Sequence, residues 1–183
     1  MTFDEVITGF RLAPVSAQQR FGVTPDIATF AKAIANGFPV DAIAGRGDLL
    51  DLFRKGVVHG GMFNAQRVTM AATLEALTPE LFATIEARGR RLMDGIRDEL
   101  AAAGHKAVVT GLPQVFHVAF DLDAPAHNWR DLAKYVKFCA ALLANGVRAL
   151  ERGAWFMSAA HYDAIVEETP EAVRPAAREV PAT

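Results

Sequence analysis

From Thr78 to Gly104 the sequence reads as one long amphipathic helix, and its start divides the chain. Leu81, Ile85, Leu92, Ile96 and Leu100 fall on one face of a 3.6-residue spiral. Thr78 can cap the first turn, Pro79 suits the first helical position, and Gly104 supplies a stop. Two parts result, residues 1–78 and residues 79–183.

The first part is strand-like at its beginning. TFDEVIT (2–8) predicts a short strand running into a loop, because Thr, Phe, Val and Ile favour extended backbone. The adjacent Asp4 and Glu5 argue against an interior position. Residues 25–38 open with Pro25-Asp26 and continue as an apolar stretch holding one lysine, Lys32. Residues 40–45 predict a second strand ended by glycine, 47–55 a short helix and 64–77 a longer one. In the second part, 107–111 and 114–120 predict strands separated by a turn containing Pro113. A helix over 129–145 would show Leu132, Tyr135, Val136, Cys139, Leu142 and Leu143 on one face and end at Asn145-Gly146. A strand near 154–157 and a helix over about 160–176 follow, with the last residues frayed. Strands and helices in this order predict an α/β or α+β architecture.

Composition excludes several function classes. The formal net charge is −2 and no basic stripe appears, so nucleic acid is not an expected partner. No apolar run approaches the roughly 20 residues that span a bilayer. The one cysteine, Cys139, rules out an internal disulfide, fits a reducing cytoplasm and reads as a small buried hydrophobe. The five histidines, at 59, 105, 117, 127 and 161, lack metal-ligand spacing. Trp155 and Phe156 read as core.

Three features carry possible chemistry. Lys32, between Phe30-Ala31 and Ala33-Ile34, is either a surface lysine lying over apolar neighbours or a nucleophilic amine able to form a Schiff base. The Asp4-Glu5 pair stands at a strand's carboxyl end, where open α/β sheets place ligand chemistry. One carboxylate there could hold a protonated ring nitrogen while the other faces solvent or caps a turn, or both could be solvated. The glycine-bearing HGGMFN (59–64) offers backbone amides ahead of a helix, which suit an anion, or is a plain loop.

Taken together, FDEVITGFR (3–11), AQQRFGVTPDI (17–27), AKAIANGFPV (31–40) and Gly45-Arg46 resemble the class III aminotransferases, which use pyridoxal 5'-phosphate. Asp4 and Lys32 lie 28 positions apart, similar to the branch containing glutamate-1-semialdehyde 2,1-aminomutase. RALERGAWFMSAAH (148–161) resembles that branch's C-terminal region. The resemblance runs over nearly the whole chain. It implies an α/β remnant of the large cofactor-binding domain (1–78) and a small C-terminal α+β domain (79–183) of the PLP-dependent transferase fold.

By the same resemblance, Lys32 would bear the cofactor and shuttle the substrate proton. Asp4 would keep the pyridine nitrogen protonated, and Val6 would pack against the ring. The phosphate would meet Gly61, Met62 and Phe63. Met62 replaces a family threonine hydroxyl, so the contacts there would come from backbone amides or from Arg67. Asp41 and Ala35-Asn36 replace family glycines. Arg11 and Arg152 are candidates for a substrate carboxylate. The implied activity is transamination between a small-molecule amino donor and a keto or aldehyde acceptor, in a cytoplasmic homodimer. Intramolecular amino transfer of the aminomutase kind is the alternative, and a non-catalytic dimerisation module or degenerate fragment is a further one. Family members carry a long portion ahead of the Asp-Glu-Val strand, so this chain is expected to be a C-terminal piece that self-associates.

Overall fold

The computed structural model describes residues 1–35, 37–58, 60, 78–120 and 132–182. The chain divides into two compact units, Met1–Phe82 and Ala83–Thr183.

The first unit is built on a three-stranded sheet in the order β1-β2-β3. Strand β1 is Thr2–Glu5, β2 is Ile27–Phe30 and β3 is Ala42–Gly45. β1 and β2 run parallel, with Asp4 opposite Thr29 and Glu5 opposite Phe30. β3 is antiparallel to β2. Side chains alternate across the sheet as strand geometry requires. Glu5, Ala28 and Phe30 are buried on one face, whereas Thr2 and Asp4 are exposed on the other. β1 is shorter than the predicted 2–8 because the chain turns at once: the Gly9 amide donates to Glu5 O at 2.8 Å. The crossover between the parallel strands holds a short helix α1, Ala17–Phe21, which sequence reading missed. After β3 come a single helical turn, α2 (Gly47–Leu50), and a 3-10 turn, Asp51–Lys55. The predicted 64–77 helix lies outside the described residues.

The long helix α3 spans Pro79–Ala102, and the Leu81 amide donates to Thr78 Oγ1 at 3.3 Å. The cap is therefore where the sequence placed it. Ile96 and Leu100 are fully buried, and Phe82 and Met93 join the inward face in place of half-exposed Leu81.

The second unit adds an antiparallel sheet β4-β5-β6: Ala107–Leu112, Val115–Phe120 and Ala154–Phe156. Phe116, Val118 and Phe120 alternate into the core. Helix α4, Leu132–Ala144, buries Tyr135, Phe138, Cys139, Ala141 and Leu142. Its inward face is rotated from the predicted one, because Phe138 has no exposure while Leu132 and Leu143 face out. Phe138 packs edge-on against Phe120, with ring centroids 5.4 Å apart. Trp155 is buried, stacks on Phe116 and donates to the Tyr135 hydroxyl at 2.8 Å.

Helix α5 covers Asp163–Arg178 and contains Pro170 and Pro175. A proline ring inside a helix removes a backbone bond and needs room. Gly95 of α3 supplies that room, since a Cβ there would lie 2.6 Å from Pro170 Cγ. The expected fraying of the final residues is overturned. The helix runs to Arg178, Ala176 and Ala177 are fully buried, and Val180 is 4% exposed. Among the described residues no helix is long and apolar enough to cross a membrane, and no group of histidine, cysteine or acidic side chains could hold a metal.

Candidate functional site

Because β1 and β2 are parallel, their carboxyl ends share one edge of the sheet. Asp4 is the penultimate residue of β1, on the open face. Lys32 follows the end of β2 by two residues and opens a 3-10 turn, Lys32–Ala35. Lys32 comes three residues after Asp4's partner Thr29, beyond the end of the strand. The pair that sequence reading singled out therefore sits at one sheet edge.

The Asp4 carboxylate is oriented locally. Its Oδ1 accepts the Val6 amide at 3.0 Å, closing a turn of the kind aspartate makes with the backbone two residues on. Asp4 has no other hydrogen-bonding partner among the described residues, so the carboxylate keeps acceptor capacity toward solvent. Val6 is half-buried immediately after the strand. Lys32 is exposed rather than enclosed by its apolar neighbours, and its ammonium has no partner among the described residues. Its backbone takes φ 51°, the left-handed region that non-glycine residues seldom occupy. A strained residue of this kind persists only where its surroundings hold it, and such residues cluster at functional sites.

Glu5 overturns the expectation that neither acid would be interior. It is 1% exposed. Thr8 Oγ1 donates to it at 2.5 Å, the Ala17 amide at 3.1 Å and the Gln18 amide at 3.2 Å. Burial alone would raise its pKa, but the donors from Thr8, Ala17, Ser16 and Gln18 prevail and hold the carboxyl below its usual range. No sequence pattern announced this, because the donors lie 3 to 13 positions away in a segment without periodicity.

The opposite edge of the sheet has different chemistry. Arg46 bonds Asp26 at 3.0 Å, which ties the start of β2 to the end of β3, and Asp48 at 2.9 Å two residues on. The Met1 ammonium and, after it, Arg46 hold the Asp26 carboxyl below the ordinary value, and Arg46 does the same for Asp48. Gly45-Arg46, quoted for its resemblance, is thus part of a structural staple.

The other candidates fall elsewhere. Gly61, Met62, Phe63 and Arg67 lie outside the described residues, as do Asn36, His59 and His127. Arg11 is half-buried, and its Nε donates to Ile7 O at 3.0 Å. Arg152 is exposed in the second unit, where its carbonyl meets His117 Nε2 at 2.9 Å. His105 is buried with Nε2 at 2.6 Å from Ala177 O, and His161 Nδ1 accepts the Ser158 amide at 3.1 Å. These are structural roles. Cys139 is buried as a core residue. The second unit also has a cleft of about 410 Å³, lined by residues including Leu92, Arg148, Trp155, His161 and Ile165.

The residues present fit a cofactor of the pyridoxal kind. An exposed amine and an oriented carboxylate with spare acceptor capacity stand at one edge of a parallel strand pair, the nucleophile and the acceptor that an aldehyde-bearing pyridine would need.

Comparison with known proteins gives a consistent picture. Residues 1–171 match the family model for class-III aminotransferases. The glutamate-1-semialdehyde 2,1-aminomutase of Haloquadratum walsbyi is 41% identical over 128 residues, covering 66% of this chain and 29% of the relative. That of Pyrobaculum arsenaticum is 36% identical over 188 residues, covering 96% of this chain and 44% of the relative. An omega-transaminase from Sphaerobacter thermophilus superposes with a TM-score of 0.87 at 30% identity, covering 97% of this chain and 44% of that one. The FumI protein of Sphingopyxis sp. MTA144, solved in its PLP internal-aldimine form, superposes at 0.83 with 31% identity, covering 96% and 42%. The chain spans less than half the length of these relatives.

Proposed function

This chain belongs to the class-III aminotransferase family and carries an α/β piece of the PLP-dependent transferase fold, and on that premise we propose that its first unit takes part in pyridoxal-phosphate-dependent amino transfer. The observation that carries the reading is the placement of Asp4 and Lys32 at one edge of the parallel pair β1–β2. When bound, the cofactor supplies an electron sink for the charge left on a substrate carbon that loses its proton. Lys32 would hold the cofactor through its ε-amine and move that proton. Asp4 would hold a proton on the ring nitrogen, since a nearby carboxylate favours the cationic form of a base. Its Val6 bond leaves it able to accept that hydrogen bond. Val6 would bound the ring's site, and backbone amides of Gly61, Met62 and Phe63 would take the phosphate. Substrates would be a small-molecule amino donor and a keto or aldehyde acceptor, and the working assembly a homodimer.

A second reading has its own support. The relatives from Haloquadratum, Pyrobaculum and Sorangium cellulosum all bear the aminomutase name. Intramolecular transfer within one carbon skeleton would use the same Lys32 and Asp4. Product analysis separates the two: transamination requires an external acceptor, whereas the aminomutase reaction proceeds without one.

Incubation with pyridoxal phosphate, borohydride reduction and peptide mass spectrometry test the shared core. The expected result is cofactor mass fixed on Lys32 and absent in Lys32→Ala. Fixation of equal extent in Lys32→Ala would overturn the assignment.

A further inference from the structure

Resting on the role given to Asp4 above, we infer that Glu5 is the positioning residue for the Asp4 carboxylate, because its buried side chain locks the turn from which Asp4 takes its orientation. The two acids are neighbours in β1 but point to opposite faces. Asp4 is oriented by one bond, from the Val6 amide. That amide lies inside a turn which Glu5 closes twice: its carbonyl accepts the Gly9 amide at 2.8 Å and its carboxylate accepts Thr8 Oγ1 at 2.5 Å. The same carboxylate reaches across the loop to the Ala17 and Gln18 amides. One side chain thus fastens both ends of the segment from Val6 to Ser16.

The turn has little freedom to settle elsewhere. A Cβ on Gly9 would lie 2.5 Å from Phe30 Cδ1 and 2.7 Å from Glu5 O, so the turn presses directly on the strands. Phe10 at φ 55° and fully buried Ser16 at φ 150° are held in regions that non-glycine residues avoid. Capping α1 does not by itself call for a buried charge. Ser16 Oγ already accepts the Gln18 amide at 3.3 Å, and the helix has only five residues. A charged acceptor makes bonds roughly twice as strong as a neutral one, and here one of them, from Thr8, lies in the turn beside Asp4 while those from Ala17 and Gln18 hold the far end of the same segment. Glu5→Gln keeps the shape but turns an amide NH2 toward a cluster of donors.

The experiment uses the whole chain without cofactor. Amide exchange at Val6 and the 13C resonance of the Asp4 carboxyl are compared in the parent, Glu5→Gln and Leu12→Ala. Leu12 is 3% exposed in the same unit, and its link to the turn is its backbone amide, which donates to Thr8 O at 3.2 Å and is kept in alanine, so truncating its side chain lowers stability by a different route. The expected result is Val6 exchange faster by about tenfold in Glu5→Gln, as loss of a charged hydrogen bond implies, with the Asp4 resonance displaced. Leu12→Ala, compared at equal global stability, should leave that resonance in place. An unmoved resonance with unchanged Val6 exchange in Glu5→Gln, or an equal displacement in both variants, would overturn the inference. If Glu5→Gln does not fold, Thr8→Val removes only the 2.5 Å donor and should give a smaller effect of the same sign; no effect there counts against the proposal. Failure to fix pyridoxal phosphate on Lys32 would refute the amino-transfer reading and leave this result standing on its own.

Discussion

The two units solve the problem of stability differently. Among the described residues of the first unit, the buried apolar side chains are few: Leu12, Pro25, Ala28, Phe30 and Phe82. The same unit exposes Ile7, Val15, Phe21, Val23, Phe38, Leu52, Val57 and, at 93%, Val58. The second unit buries Ile96, Leu100, Val118, Phe138, Leu142 and Val173 without measurable exposure. Local order among the described residues therefore leans in the first unit on polar bonds, with Glu5 at their centre, and in the second on apolar packing. Among the described residues the candidate chemistry lies where apolar packing is sparse, and a buried carboxylate does there what side-chain volume does elsewhere.

The largest test of this contrast is Phe138→Ala. Removing a fully buried ring should cost about 3–5 kcal/mol and lower the denaturant midpoint of the second unit. Residue-resolved amide exchange should show little change at Val6, Ala17 and Gln18. Parallel losses in both units would break the contrast. Gly89→Ala comes next. A Cβ there would lie 2.1 Å from Pro113 O, so α3 can pass the β4–β5 turn only without a side chain. Overpacking of this kind costs about 1–3 kcal/mol, and the melting temperature should fall even though alanine favours helix.

The same contrast explains what the sequence disclosed. Periodicity made α3 legible because it buries one regular face, and two strand-like runs on either side of Pro113 marked the β4–β5 hairpin. The face of α4 was misjudged: residue spacing alone did not show that the Phe138 ring would take the inward position against Phe120. The C-terminal residues looked polar and proline-rich, and their burial depends on the notch at Gly95, which no local pattern reveals. In the first unit the placement of Asp4 and Lys32 followed from family resemblance. The clasp did not, since hydrogen bonds between Glu5 and Ala17–Gln18 leave no mark on hydropathy. The short helix α1 was missed for the same reason.

Acid separates the units by mechanism. The Glu5 carboxyl has its folded pKa below the ordinary 4.5. Its contribution to stability is therefore fully present above that value and lost as pH falls through the lower folded one. Protection of the Ala17 and Gln18 amides should decline over that acid range. Because the carboxylate is buried, raised salt should change the midpoint little. A midpoint that moves strongly with salt would mean that the clasp is solvated and the first unit is not ordered as described.

The smallest expected effect belongs to the ionic surface of the second unit. Asp163 at the start of α5 accepts from Arg88 at 2.7 Å and Arg91 at 2.8 Å, and Arg91 also reaches Glu167 at 3.0 Å. Both arginines hold the Asp163 carboxyl below its usual range. Yet Asp163 is more than half exposed, and exposed pairs gain little because water and salt screen them. Asp163→Asn should lower the melting temperature slightly at low ionic strength, and the difference should vanish at high salt. If it instead persists in salt and approaches the Phe138→Ala loss, the ion pairs between α3 and α5 share the work now assigned to the apolar core. The distinction between a packed unit and a polar-bonded one would then fail on the packed side.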